Sequence, residues 1–363
     1  MKKKFKTKVM FLFIVLVAVM GYLGFNGYIE IDSFERITSG AVVSDEDVTP
    51  LISGSGAIQV YFCPHQSCEQ ALLDLLDSAE ETIHCASYEL SLESVQEKLL
   101  EKRSDSLEVD IIVDDNYLKK FNYSFIKTDG WGQMHNKFCI IDGSKIFTGS
   151  MNPTNNGVNK NNNNLLIIDS PLLATNYENE FQEMWTDETY KKGEPVPNSN
   201  LILEVESSVD GEVGTKSITV KNYFCPDDNC AEHVKEELEK AEESIYFMTF
   251  SFTHDGIANV ILLRMNDGVE VHGVFETTQV SQYSKYEVLE YQGADVVKDG
   301  NGNNMHHKVF IIDGKTVITG SMNPSKNGDE SNDENVLIIY SEEIAALYLE
   351  EFDRVYAEAV ENS

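Results

Sequence analysis

Apolar and polar positions along this chain fall into two runs of elements that keep the same order. In the first run, alternation over residues 58–62 predicts a strand, and apolar spacing over 69–76 predicts a helix. A compact apolar stretch at 82–88 reads as a buried strand, 92–102 as a second helix, and 109–114 as a strand ending at Asp114. Residues 137–142 and 145–148, with Asp142-Gly143 between them, predict a hairpin. The second run repeats the series at 218–224, 231–241, 244–250, 257–265 and 269–276, the last ending at Glu276, and then gives a hairpin at 308–313 and 316–319. Ser170-Pro171 and Ser341 read as the N-caps of two closing helices, with proline at the first helical position in one of them. Strands alternating with helices and followed by a hairpin imply an α/β class, with mixed sheets flanked by helices, built as two tandem domains.

The patterning also bounds the domains. Residues 1–8 hold five lysines and form a basic cytoplasmic tail; residues 9–25 carry no charge and predict a transmembrane signal anchor. A cleavable signal peptide shares this layout, but no small-x-small cleavage site follows Val19. The expected localisation is the cell membrane, single-pass, with the body outside the cytoplasm. Residues 26–56 read as a stalk, 57–190 as the first domain, 191–217 as a linker opening on KKGEPVPN, and 218–363 as the second domain. The tract at 155–164 holds seven asparagines and reads as a loop in which sequence has drifted.

Residues 134–153 read MHNKFCIIDGSKIFTGSMNP and residues 305–324 read MHHKVFIIDGKTVITGSMNP, identical at 13 of 20 positions. Each copy supplies an imidazole (His135, His306), a cation two residues on (Lys137, Lys308) and a downstream amide (Asn152, Asn323). A phosphodiester is a poor electrophile because its oxygens carry negative charge, and positioned cations and amides neutralise that charge. Of two imidazoles, one can attack phosphorus while the other protonates the departing oxygen. Neither step calls for a metal or another cofactor.

The spacing His-x-Lys-x4-Asp, then six residues, then Gly-Ser-x-Asn, present twice, resembles the phospholipase D superfamily of HKD phosphodiesterases. The resemblance covers most of the chain from about Val60 onward. It implies two phospholipase D-like domains related by a pseudo-twofold, one active site at their interface, and a covalent phosphohistidine formed without divalent metal. It further implies catalytic roles for His135, Lys137, Asp142, His306, Lys308 and Asp313, with Ser150, Asn152, Ser321 and Asn323 binding phosphate. His135 is then the nucleophile and His306 the general acid. Small nuclease-like members of the family carry a carboxylate that orients an active-site histidine. Glu334, 28 residues after His306, fits that place, whereas the equivalent point after His135 is Asn163, which implies unequal halves. Asp142 and Asp313 also suit hairpin turns, so structural support is weighed beside catalysis for both.

The family includes phospholipases, cardiolipin-making transferases, cardiolipin hydrolases and nucleases. The net charge of −33 opposes broad binding of nucleic acid, and a tethered body meets lipid headgroups, so the expected substrate is a phospholipid. An extracytoplasmic nuclease and an inactive headgroup-binding module are the alternatives. Both motifs lie on one chain, so a monomer suffices for catalysis. Cys63 with Cys68 and Cys225 with Cys230 bracket a proline and suggest small disulfide loops, a four-thiolate zinc site being the alternative; Cys85 and Cys139 read as buried free thiols. His65, His84, His233, His254, His272 and His307 do not recur at the repeat offset and are read as structural.

Overall fold

The computed structural model describes residues 52–128, 132–186, 195–196, 199–209 and 212–362. The expected tail, anchor, most of the stalk and most of the KKGEPVPN segment lie outside the described residues. Among the described residues, no helix is long and apolar enough to cross a membrane.

The first half contains β1 (Ile52–Cys63), α1 (Cys68–Asp77), β2 (Thr82–Ser87), α2 (Glu93–Ser104), β3 (Glu108–Val113), β4 (Ile126–Thr128), β5 (Lys137–Ile141), β6 (Lys145–Gly149), α3 (Asn155–Asn159), β7 (Asn163–Asp169) and α4 (Pro171–Thr186). The hairpin β8 (Asn200–Val209) and β9 (Glu212–Cys225) leads into α5 (Cys230–Leu238), β10 (Ser244–Thr249), α6 (Asp255–Asn266), β11 (Glu270–Phe275), α7 (Tyr286–Tyr291) and β12 (Asp295–Lys298). Then follow β13 (Lys308–Ile312), β14 (Thr316–Gly320), α8 (Lys326–Glu330), β15 (Glu334–Tyr340) and α9 (Glu342–Asn362).

The strands pair in the order β12-β11-β10-β13-β14-β15-β9-β8-β1-β7-β6-β5-β2-β3-β4. Each half thus contributes the same seven-strand series, and β8 joins them. Residues 57–63 of β1 run antiparallel to β7, while residues 52–56 run parallel to β8. In the segment expected as the end of the linker, 200–209 is therefore strand β8 and 212–217 opens β9; residues 200–209 pair with β9, and Leu201 and Leu203 reach the central core.

Both faces of each half-sheet are covered, which is why its strands are almost continuously apolar. Along β5 and β6 the two-residue period sends Phe138, Ile140 and Ile146 into a central core and Cys139, Ile141 and Phe147 into an outer one. The central core takes side chains from both halves, including Tyr177 and Phe181 of α4 with Tyr348 and Phe352 of α9. The outer cores form beneath α1 and α2 (Leu72, Leu76, Leu99) and beneath α5 and α6 (Val234, Leu238, Ile261). The expected caps are present: the Leu173 amide donates to Ser170 Oγ and the Ile344 amide to Ser341 Oγ, both at 3.3 Å.

Disulfides Cys63–Cys68 and Cys225–Cys230 fasten the end of the first strand of each half to its first helix. Cys85 and Cys139 depart from the expected free thiols and form a third disulfide. The cause is register, since β2 and β5 place these residues directly opposite one another, with Cα atoms 4.0 Å apart.

The halves meet through buried polar groups in reciprocal pairs. Thr148 Oγ1 donates to Asn335 Oδ1 at 3.0 Å, and Asn164 Nδ2 donates to Thr319 Oγ1 at 2.8 Å. Tyr177 reaches the same Asn335 oxygen at 3.4 Å, and Tyr348 OH accepts from Asn164 Nδ2 at 2.9 Å. The asparagine tract is thus no drifting loop. Residues 155–159 form α3, and Asn162, Asn163 and Asn164 are buried and bonded across the interface. Stranding one such buried amide costs about 1–3 kcal/mol, which keeps the polar series in place.

Candidate active site

The strand ends β5 and β13 meet where the halves touch. The His135 amide donates to the Asp333 carbonyl at 3.0 Å, and the His306 amide donates to the Asn162 carbonyl at 2.8 Å. Each histidine-bearing segment is therefore held by the residues preceding the last strand of the opposite half. His135 and His306 line one cavity of about 630 Å³, together with Asn152, Asn323, Tyr88 and Phe250.

Each imidazole is fixed from the opposite half. His135 Nδ1 donates to Glu334 Oε2 at 2.7 Å, and His306 Nδ1 donates to Asn163 Oδ1 at 2.9 Å, with the Ser150 carbonyl at 3.1 Å. A carboxylate only accepts, which sets the His135 tautomer with its proton on Nδ1 and the Nε2 lone pair free for the cavity. The carbonyl-type partners of His306 hold its ring in the same tautomer. Tyr88 packs edge-on against His135 at 5.1 Å, and Phe250 against His306 at 4.8 Å.

The two lysines are buried beneath these rings. Lys137 Nζ donates to the His135 carbonyl, and Lys308 Nζ donates to the His306 carbonyl at 2.7 Å. Burial pushes the Lys137 ammonium down to about 7, against the pull of Glu334. Burial and then Lys137 beside it push Lys308 well below the usual lysine range. Both imidazoles are likewise held well below the ordinary histidine range, first by burial and then by both lysines. Burial raises the Glu334 carboxyl to about 7, opposed chiefly by Lys137.

Two buried lysines and two imidazoles, all pushed towards their neutral forms, gain from an anion that restores their protons. The Lys137 amine, lowered to about 7, is mostly neutral at pH 8, and an entering anion raises that pKa. Sulfate binding at pH 8 is therefore expected to take up protons. Calorimetry in two buffers of different ionisation enthalpy checks this, and binding heats that do not depend on the buffer would contradict it.

The sequence-derived site residues separate into groups. His135, Lys137, His306, Lys308 and Glu334 come together, and Asn152 and Asn323 line the cavity, their carboxamide oxygens buried without a hydrogen-bond partner among the described residues. Ser150 and Ser321, expected to bind phosphate, are fully buried beside the histidine partners. Ser150 Oγ donates to Asn163 Oδ1 at 3.0 Å, and Ser321 Oγ accepts the Asn335 amide at 2.9 Å while also bonding Glu334. Gly149 and Gly320 make this close approach feasible: at φ +132° and +131°, a Cβ on either would lie 2.5 Å or 2.3 Å from the carbonyl oxygen of Asn164 or Asn335.

Asp142 and Asp313, expected among the catalytic residues, lie at the hairpin turns and do not line the cavity. Asp142 accepts the amides of Glu80, Glu81 and Thr82 at 2.8–2.9 Å, and Asp313 accepts those of Glu242, Glu243 and Ser244 at the same distances. These amides hold both carboxyls below the usual aspartate range, though burial works the other way. A depressed pKa contributes stability at neutral pH that is lost in acid, as pH falls through the folded-state value. Asp142→Ala and Asp313→Ala should each cost about 1–2 kcal/mol, limited by partial solvent access, and leave activity per folded molecule intact. Denaturant melts paired with active-site titration check both parts.

Sequence reasoning missed Tyr88 and Phe250 as cavity walls. Each is the first residue after a buried strand at matching points of the repeat, a signal visible only once the strands are paired with the motif.

A family model described as cardiolipin synthase, PLD-like domain, matches residues 72–185 and 234–356. Each matched region holds one copy of the histidine-lysine motif. Phospholipase D of Rickettsia conorii is 35% identical over 132 residues, which are 36% of this chain and 66% of that protein. The mitochondrial cardiolipin hydrolase of Canis lupus familiaris is 34% identical over 122 residues, 33% of this chain and 48% of its own. The chain thus spans just under two thirds of the rickettsial relative and about half of the canine one. Among solved structures, phosphatidylserine synthase of Haemophilus influenzae aligns over 83% of this chain and 86% of its own, with a TM-score of 0.62 at 14% identity, a likeness of fold.

Proposed function

Because the chain belongs to the phospholipase D superfamily, we propose that it hydrolyses phospholipid phosphodiesters through a covalent phosphohistidine on His135, at one active site on the pseudo-twofold between its halves. The observation that carries this reading is the pair of imidazoles on one cavity, only one of which is backed by a carboxylate. In the first step His306 enters as the imidazolium, having taken a proton on Nε2 as the anionic substrate bound; His135 Nε2 attacks phosphorus, a P–N bond forms, the P–O bond to the leaving alcohol breaks, and His306 gives that oxygen its Nε2 proton. In the second step His306 takes a proton from water, the water oxygen bonds to phosphorus, and the P–N bond breaks. Glu334 stabilises the His135 imidazolium, whose charge develops as the P–N bond forms. Lys137, Lys308, Asn152 and Asn323 oppose the charge on the phosphoryl oxygens.

The excess of acidic residues favours a lipid headgroup over a long polyanion, since a net charge of −33 repels nucleic acid at range. Three disulfides fit an oxidising compartment, and with the lysine-rich start ahead of residues 9–25 they support an anchored body on the extracytoplasmic side. Full-length protein in detergent, with chelator present, should release headgroup from phosphatidylcholine or cardiolipin vesicles and leave single-stranded DNA and RNA intact. Cleavage of nucleic acid alone would replace the lipid reading with a nuclease. Headgroup binding without turnover would leave a binding module.

A further inference from the structure

Away from the catalytic cavity, strands near the outer edge of the first half-sheet carry a second group of chemistry-bearing side chains. His84 on β2 lies directly opposite Asp110 on β3, and Glu108, two residues before Asp110, shares its face of the sheet. One ligand-type atom from each, a ring nitrogen and two carboxylate oxygens, all fall within 4.8 Å of one another. His84 is 6% exposed, and its Nε2 is buried with no hydrogen-bond partner, 4.0 Å from Glu108 Oε1. An unpartnered ring nitrogen in that position is costly unless something binds it.

The other side of the ring is already committed. Glu178 of α4 receives His84 Nδ1 at 2.8 and 2.9 Å, and Phe181 stacks flat on the imidazole at 4.8 Å. A carboxylate on Nδ1 fixes the proton there and turns the Nε2 lone pair toward the two acids, as it does behind metal-bound histidines. The nearby Lys127 does not neutralise the acids by contact, since its ammonium sits 3.8 Å over the Trp185 ring and donates to the Trp185 carbonyl. Among the described residues, neither Glu108 nor Asp110 makes an ion pair with lysine or arginine.

We infer that His84, Glu108 and Asp110 form a binding site for a first-row divalent cation, zinc foremost, with Glu178 as the residue that positions His84. One imidazole and two carboxylates suit zinc in composition, and exposed Glu108 leaves room for water as the fourth ligand. Calcium, which takes six to eight oxygens, fits poorly. The second half differs at the same register: Tyr246 takes the place of His84 and His272 that of Asp110, and His272 Nδ1 is committed to Asp295 at 2.9 Å. Bound zinc would tie β3 to β2 and, through Glu178, to α4.

The full chain, stripped of metal and titrated with zinc chloride by calorimetry, tests the site. One equivalent should bind with a rise in melting temperature that calcium does not give. Glu108→Gln and Asp110→Asn should each weaken binding at least about tenfold, and Glu178→Gln about 10- to 100-fold, with unchanged circular dichroism. His135→Ala should leave zinc affinity as it was. The inference is overturned if no zinc binds, if the carboxamide variants bind as well as wild type, or if His135→Ala is the variant that abolishes binding.

Discussion

Replacing His135 by asparagine is expected to lower turnover by about 10⁴-fold or more and to prevent any covalent adduct, whatever the leaving group, because no other group on the cavity offers a free lone pair at the same place. His306→Asn should behave differently. Loss of a general acid costs about 10²- to 10⁴-fold with an alkoxide leaving group, and much less with p-nitrophenolate, which departs without a proton. Comparing both variants on a phospholipid and on bis(p-nitrophenyl) phosphate separates the roles. Equal rescue of the two variants by the activated substrate would contradict the assignment.

The second large effect is expected at Glu334. Its carboxylate is fully buried and bonded to His135, while the matching partner of His306 is the amide of Asn163. An amide orients an imidazole but does not offset a developing positive charge. Glu334→Gln should therefore reduce kcat by about 10²- to 10³-fold with little change in KM, whereas Asn163→Asp should cost no more than about tenfold. Wild-type turnover should also fall as pH drops through about 7, where Glu334 takes up a proton, and the glutamine variant should lack that acid limb. Steady-state kinetics from pH 5 to 9 decide the matter, and equal losses at the two positions would remove the asymmetry from the account.

Most elements and the motif residues were legible in the sequence because they depend on local period and on an internal repeat. The strands 137–142 and 308–313 differ from β5 and β13 by one residue at the end, and both N-cap serines were readable from the residues beside them. What escaped depends on register or on the opposite half. Cys85 and Cys139 look like isolated apolar positions until β2 is laid against β5. Glu334 was readable as a partner for an active-site histidine, but that it serves His135, 199 residues away, follows only from the meeting of the halves. Ser150, Ser321, Asp142 and Asp313 share the motif's spacing but lie away from the cavity wall, a difference in placement that spacing alone could not show. The strand at 200–209 was hidden because its short apolar run, Leu201 to Leu203 with Val205, leads into a polar stretch that resembles a linker.

The central claim is that both imidazoles act on one phosphorus and that His135 bonds to it. The most direct measurement uses a phosphodiester labelled in its phosphate, a denaturant quench at alkaline pH during turnover, where a phosphoramidate survives, and peptide mapping of the label. The account predicts label on the peptide that contains His135. Label on any other residue, or turnover with no labelled peptide at any time, would contradict it.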